Sequence, residues 1–424
     1  MLGLLRKRNF RLLWFGETVS GGGSAMAAVL IPLLAVTTLH ASTFEVAALT
    51  AASYLPWLIV SLPAGAWVDR LQVRPVMIAC DVVAAALYAS LPVLAWLRLL
   101  TIAEVLVIAL LAGAANVVFT TAYQVYLPSL VDGADLVEGN AKLQGSASMA
   151  LVGGRGVAGV AAEGLGAASA VLFNAASFLV SAVCLLRIRA TPRPRPRPAG
   201  GSRASLRTEI AQGARLIMGD PYLRPITLYA AAGNLTYSGY SALLVVFLVK
   251  VAGLSAATTG VLMSTSGVGG LTGALVARRI GGRLGTARTL QVTALITGVF
   301  GLLIPLTRTG PALTCYIAGA FVVSAGTLVG NILAGSFRQA YCPQEILGRV
   351  VANMRFASFG TIPLGALLAG ALGTALGVRT ALWVLLGGYA LAGLILLGIP
   401  GPGEAPPLVM KEARAPQRTS SLRR

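Results

Sequence analysis

The sequence predicts an all-α polytopic membrane protein of twelve transmembrane helices arranged as two pseudo-symmetric six-helix bundles. Three observations lead there. The 424 residues are 56% hydrophobic and only 11% charged, with a mean hydropathy of +0.80, more apolar surface than a globular core can cover. Twelve segments reach the roughly 20 apolar residues that a spanning helix needs. The hexapeptide GAWVDR (Gly65 to Arg70) returns two hundred residues later as GALVAR (Gly273 to Arg278), again between two apolar segments, the mark of a duplicated architecture.

The segments run, in order, over Leu12 to Thr38, Phe44 to Trp67, Arg74 to Leu97, Thr101 to Leu127, Ala141 to Gly164, Ala167 to Leu186, Tyr222 to Val249, Ala256 to Ala277, Ala287 to Leu306, Pro311 to Ala340, Leu347 to Leu372 and Arg379 to Ile399. RKRNFR, an apolar run and Ala25-Met26-Ala27 have the outline of a signal peptide, but that run is needed as the first span. Fifty glycines suit close helix packing in lipid, where small residues let backbones approach.

Between the sixth and seventh segments TPRPRPRPAGGSR (Thr191 to Arg203) alternates Pro and Arg and is expected to be extended. SLRTEIAQGARLIM (Ser205 to Met218) then reads as an amphipathic helix on the membrane surface. The expected organisation is a six-helix bundle over 1–188, a linker with its surface helix over 189–221, a second bundle over 222–399, and a disordered basic tail over 400–424.

The net charge of +19 is not a nucleic-acid footprint, because the basic residues lie between apolar spans. With the first segment starting in the cytoplasm, only Arg98, Lys250, Arg308 and Arg379 fall in outside loops and Arg155 falls within a span. The remaining Lys and Arg lie inside. The positive-inside rule thus places both termini in the cytoplasm. Cys80, Cys184, Cys315 and Cys342 have no paired spacing, so no disulfide framework, metal site or cofactor is expected. No GxxxxGK[ST] loop or nucleophile elbow occurs, which argues against nucleotide hydrolysis and against an enzyme.

GAWVDRLQVR (Gly65 to Arg74) resembles motif A of the major facilitator superfamily, G-x-L-a-D-R-x-G-R-K/R. Gly65, Asp69, Arg70 and Arg74 stand on its positions, and Trp67, Gln72 and Val73 depart from it. In the second copy the Asp is Ala277. Tyr126-Leu-Pro128 is matched by Tyr341-Cys-Pro343, and Asn140 by Asn353. RNFRLLWFGETVS, PWLIVSLPAGAWVDR and RPVMIACD are similar to the transmembrane secretion effector branch, with its siderophore exporters and macrolide efflux proteins. The resemblance covers Arg8 to Ile399. It implies the major facilitator fold, in bacteria an inner-membrane location, a monomer among lipids, and an Asp69 that holds a cytoplasmic gate against the start of the eleventh helix near Gln344 to Arg349. The alternative for Asp69 and Arg70 is simple capping and headgroup contact.

Ionisable residues within spans cost about 2.5 to 3.5 kcal/mol at the bilayer centre, so Glu17, Asp81, Arg155 and Glu163 are functional candidates. Glu17 lies about 7 Å and Asp81 about 10 Å inside their helices. A carboxyl group there can take a proton from one side and release it to the other, as proton-coupled antiport requires. The family usually has Gln where Glu17 stands, and Arg where Ala84 follows Asp81. Arg155, about 20 Å along the fifth helix, occupies the proline position of the GPxxGG motif in GGRGVAG (Gly153 to Gly159). It either pairs with Asp81 or Glu17, or binds an anionic substrate or tunes a carboxylate. Glu163 reads as an interfacial residue and His40 as an inert loop residue. Asn116, Gln124, Asn174, Asn234 and Asn331 line the cavity by analogy, or form interhelical hydrogen bonds worth about 0.6 kcal/mol on average. Tyr54, Trp57, Tyr237 and Tyr240 are candidate aromatic walls or packing residues.

The expected function is secondary export of a drug, siderophore or other amphiphilic small molecule against inward proton flow, by alternating access about a midplane site. The alternatives are an importer or lipid-translocating facilitator of the same fold, or a non-transporting scaffold or sensor.

Overall fold

The computed structural model describes residues 3–60, 71–131, 136–189, 206–342 and 344–400. The described chain is about nine-tenths helical and contains no strands. Six helices precede the linker: α1 (Arg8–Thr37), α2 (Thr43–Ile59), α3 (Val73–Trp96), α4 (Ile102–Leu130), α5 (Leu136–Leu165) and α6 (Ala167–Arg187). The short α7 (Leu206–Gly219) follows. Six more complete the chain: α8 (Leu223–Val246), α9 (Ala256–Leu284), α10 (Thr286–Gly301), α11 (Leu313–Tyr341), α12 (Gln344–Leu376) and α13 (Val378–Gly393). A π turn, Phe247–Val251, extends α8, and 3-10 turns Ile304–Leu306 and Leu394–Gly398 extend α10 and α13. Ten of these helices are long and apolar enough to cross a membrane. The other two spans are α2, whose described part has 17 residues, and α5, whose 30 residues include Lys142, Arg155 and Glu163. The linker 190–205 and the tail 401–424 lie outside the described residues.

The duplication is visible in the caps. The second span of each half starts at a serine, Ser42 and Ser255, both with φ −67° and ψ 162°. Each side-chain oxygen accepts from the backbone N–H three residues on, Glu45 and Thr258, at 3.3 Å. Such a cap is worth about 1 kcal/mol by satisfying a donor the helix cannot pair itself. In the first copy Glu45 reaches back to the Ser42 N–H at 2.7 Å, closing a capping box. The fifth and sixth spans of each half are joined through a single glycine at positive φ, Gly166 (79°) and Gly377 (82°), where an L side chain would be strained.

One expected parallel fails. GALVAR does not lie between segments: α9 continues through Gly273 to Arg278 as far as Leu284, and the chain turns at Gly285, φ 75°. With alanine in place of the acid, Ala277 is buried in the core, and nothing there offers the helix a stop.

We call the end of the bundle holding both chain ends the terminal end and the other the distal end. At the distal end one core runs through both halves, with Leu30 and Val46 packed in the same cluster as Phe247 and Leu382. At the terminal end each half keeps its own core. Phe10, Leu13, Met77 and Leu185 belong to the first, Ile226, Val329, Val350 and Leu396 to the second. The motif-matched Tyr126 and Tyr341 occupy corresponding places in these two cores. Tyr341 closes α11 and donates to Asp220 Oδ2 at 2.8 Å, while Asp220 Oδ1 accepts from the N–H groups of Tyr222 and Leu223 at 2.9 Å each. Burial, followed by the Asp220 carboxylate beside it, pushes the Tyr341 hydroxyl's pKa up, so it remains a donor at neutral pH.

Candidate functional site

The halves meet along two helix pairs, α2 with α12 and α5 with α9. Both contacts are tightest toward the distal end. A side chain at Gly260 of α9 would lie 2.7 Å from Gly159 N and 2.9 Å from Arg155 O of α5, and Gly370 of α12 faces Phe44 and Ala47 of α2. Small residues allow this backbone approach. Two polar contacts cross the seam at its distal end. Lys250 Nζ donates to the Ala41 carbonyl at 2.7 Å, and Glu163 Oε2 accepts from the Ala257 N–H at 3.0 Å. Glu163 is therefore more than an interfacial residue. Its carboxylate pairs a donor in the first turn of α9, where the helix dipole favours negative charge. Shared distal packing and, among the described residues, separate terminal cores outline a cleft toward the terminal end.

In the first half Glu17 on α1 and Asp81 on α3 lie within Coulombic reach of one another. Asp81 is 2% exposed with the Ser181 hydroxyl of α6 beside its carboxyl group, while Tyr123 of α4 lies near Glu17. Glu17 Oε1 and Asp81 Oδ2 are buried without a hydrogen-bond partner. Tyr123 and Ser181 escaped sequence reasoning because a lone hydroxyl in an apolar run carries no spacing signal.

Arg155, half-buried on α5, does not pair with either carboxylate. Its Nη1 donates to Ser266 Oγ of α9 at 2.6 Å, and its Nε is buried without a partner. The expected ion pair fails because Glu17 and Asp81 belong to the side of the first half walled by α4 and α6, whereas Arg155 faces the other half. Tyr54 of α2, Tyr237 and Tyr240 of α8 and Tyr316 of α11 surround it within Coulombic range. Tyr237 and Tyr240 meet edge-on at 5.6 Å, and Trp57 stacks on Phe359 of α12 across the halves at 5.1 Å.

The remaining candidates divide. Asn116 and Gln124 are exposed on one stripe of α4 with Thr120 between them, whose hydroxyl donates to Asn116 Oδ1 at 3.5 Å. Asn331 is exposed on α11. Asn234 Nδ2 donates to the Ser358 carbonyl at 3.2 Å and braces α8 against α12. Asn174 is fully buried behind Gly23 of α1, away from the cleft. His40 is exposed and takes φ 51° in the α1–α2 loop. Of motif A, Gly65, Asp69 and Arg70 lie outside the described residues, as do the side chains of 343–349. Arg74 is described: its Nε and Nη2 donate to the Leu185 and Leu186 carbonyls at 2.8 and 2.6 Å, capping the end of α6. Among the described residues, no cluster of three or more His, Cys, Asp or Glu forms a metal site.

The family model of the Major Facilitator Superfamily matches residues 13–359. The chain belongs to that superfamily. It is a multi-pass membrane transporter, as its fold and the apolar helices agree. The chain is 28% identical over 404 residues to the multidrug efflux pump Tap of Mycolicibacterium fortuitum, covering 92% of this chain and 95% of the relative. It is 25% identical over 399 residues to the pump of that name in Mycobacterium tuberculosis, with 92% and 93% covered. Among solved structures, the nucleoside transporter NupG superposes with a TM-score of 0.75 at 11% identity, covering 92% of this chain and 98% of that one. A bacterial homologue of the iron transporter ferroportin in the inward-facing state gives 0.69 at 17%, covering 93% and 98%. At such identities the likeness to these structures is one of fold.

Proposed function

We propose that the chain exports a hydrophobic or amphiphilic small molecule, a drug, siderophore or secondary metabolite, by proton antiport with alternating access. In this reading it works as a monomer in a bacterial inner membrane with both termini cytoplasmic. The observation that carries the reading is the cleft: among the described residues the halves share a core distally and keep separate cores terminally, and with the termini cytoplasmic by the positive-inside distribution of charge cargo enters at the terminal mouth. The similarity to pumps named for multidrug efflux supports the outward direction.

Glu17 and Asp81 are the proton carriers. Two neighbouring carboxyl groups in a low-dielectric wall repel when both are charged, and a proton on one relieves that repulsion. Rocking of the two bundles alternates access to the pair. Asp69, Arg70 and Gly65 form the cytoplasmic gate that closes when the distal mouth opens, with Arg74 fixing the start of α3 against α6. Asn116, Gln124, Asn234, Asn331 and Arg155 serve the cleft, the first two and Asn331 from exposed positions, Asn234 as a brace.

The test uses inverted membrane vesicles with an established pH gradient. Its collapse is recorded on adding macrolides, siderophores and lipophilic cations, with Glu17→Gln and empty-vector membranes as controls. Collapse with one compound class that both controls lack is the expected result. Collapse that is undiminished in Glu17→Gln removes Glu17 from the proton path, and no response across the panel overturns the antiport reading.

A further inference from the structure

We propose that the roof of the cleft, around Arg155, is a subsite for an anionic oxygen carried on an aromatic or amphiphilic cargo. The proposal rests on the transport reading above and names a class of cargo for it.

A guanidinium about 20 Å along a spanning helix is costly unless something compensates it. Among the described residues no carboxylate does: the one side-chain bond from Arg155 is to the neutral hydroxyl of Ser266. Its Nε is buried and unpaired. A guanidinium stays protonated in proteins and offers donors only. A buried phenol lies toward the same region: Tyr316 is fully buried, within Coulombic range of Arg155, and its hydroxyl lies beside that of Tyr240.

The surroundings fix what would complete the site. Tyr54, Tyr237 and Tyr240 add phenol groups around the cation and no negative charge. The guanidinium is thus the one charge of the cluster and the one group that can only donate, and a negatively charged acceptor answers it best. Carboxylate, sulfonate and enolate oxygens fit, and the planar Arg fork suits a two-oxygen group. The half-buried Tyr237 ring, held edge-on at 5.6 Å by the buried Tyr240, offers π surface to a flat ring system. The carboxylate pair Glu17 and Asp81 interact with one another on the far side of the first half, so the proton site and the anion subsite are separate.

The test uses the full chain in lipid nanodiscs and two fluorescent probes, 1-pyrenebutyrate and 1-pyrenebutanol, which share ring and chain and differ in the end group. Binding is read by anisotropy, corrected with protein-free discs, for the wild type, Arg155→Gln and Arg155→Lys. Arg155→Gln is expected to weaken pyrenebutyrate roughly 10- to 150-fold, the range of a hydrogen bond to a charged group, and pyrenebutanol less than about twofold. Arg155→Lys keeps the charge without the fork and is expected to fall between. Equal weakening of both probes, or none, overturns the proposal. Should the Gln variant fail to fold, pyrenebutyrate binding as tight in Arg155→Lys as in wild type does the same. So does wild type that binds neither probe, or that holds the alcohol as tightly as the acid. Wild type that binds pyrenebutanol while Arg155 proves indifferent sinks only the subsite, because the pH-gradient assay judges transport on other compounds.

Discussion

Replacing Gly260 by alanine tests whether the distal seam sets the resting state of the transporter. The new Cβ would lie 2.7 Å from Gly159 N, 2.8 Å from Gly159 Cα and 2.9 Å from Arg155 O, where ordinary contact begins at 3.4 Å. All three neighbours are backbone, so no rotamer change relieves the clash, and α5 and α9 must part by about half an ångström or more. Overpacking of this kind costs about 1 to 3 kcal/mol. In the alternating-access reading proposed above, the cost falls on the distally closed state alone, because the other state separates the same helices, and it corresponds to roughly a 5- to 150-fold shift in the equilibrium. The assay is electron–electron distance measurement between spin labels at Arg98→Cys and Arg308→Cys, exposed in distal loops of opposite halves. Cys80, Cys184, Cys315 and Cys342, all free thiols, are first changed to alanine. Gly153→Ala on α5 is the matched control, since its Cβ meets nothing within 4 Å and alanine favours the helix equally at both sites. The label distances are expected to lengthen in Gly260→Ala and to stay at the parent value in Gly153→Ala. An unchanged distribution, or equal movement in both variants, refutes the reasoning.

Two further outcomes follow from the same structure. Glu163→Ala removes the carboxylate that pairs the Ala257 N–H, a loss of about 1 kcal/mol, and is expected to lengthen the Arg98–Arg308 label distance in the same sense but less. Tyr341→Phe takes a charge-assisted hydrogen bond from the buried Asp220. It is expected to cost about 1.5 to 3 kcal/mol, read as a lower thermal unfolding midpoint with pyrenebutanol binding at 25 °C unchanged.

The spans were legible because twelve apolar stretches separated by turn residues leave little freedom: α6 begins at Ala167 and α9 at Ala256, as expected. Ends were less legible where no breaker stands. α9 runs on past Ala277 because a buried alanine favours the helix, no Pro stands between it and Gly285, and the chain first takes positive φ at that glycine. The carboxylates Glu17 and Asp81 were visible as costly charges in apolar runs, and hydropathy alone identifies those. What surrounds them was not. Ser181 and Tyr123 come from other helices, and the packing that brings them in leaves no periodicity in their own segments. Arg155 is visible by the same cost argument, but of its two readings the ion pair is not formed, because opposite charge within a half is easier to read than a serine across the seam. Glu163 was taken for a residue of the membrane interface since nothing in the sequence tells that its neighbour is the first turn of α9.

The paired serine caps have a mechanical meaning. Ser42 and Ser255 close the first turns of α2 and α9 with groups from their own halves, so each of these helices on the seam is finished at its distal tip before the halves touch. Separation leaves those turns wound, and the polar contacts at the distal end of the seam, Glu163 with the Ala257 N–H and Lys250 with the Ala41 carbonyl, can each be replaced by water. The distal mouth can therefore part as two stiff bodies, with no helix unwinding, and the effort of opening lies in separating glycine-lined backbones rather than in remaking secondary structure.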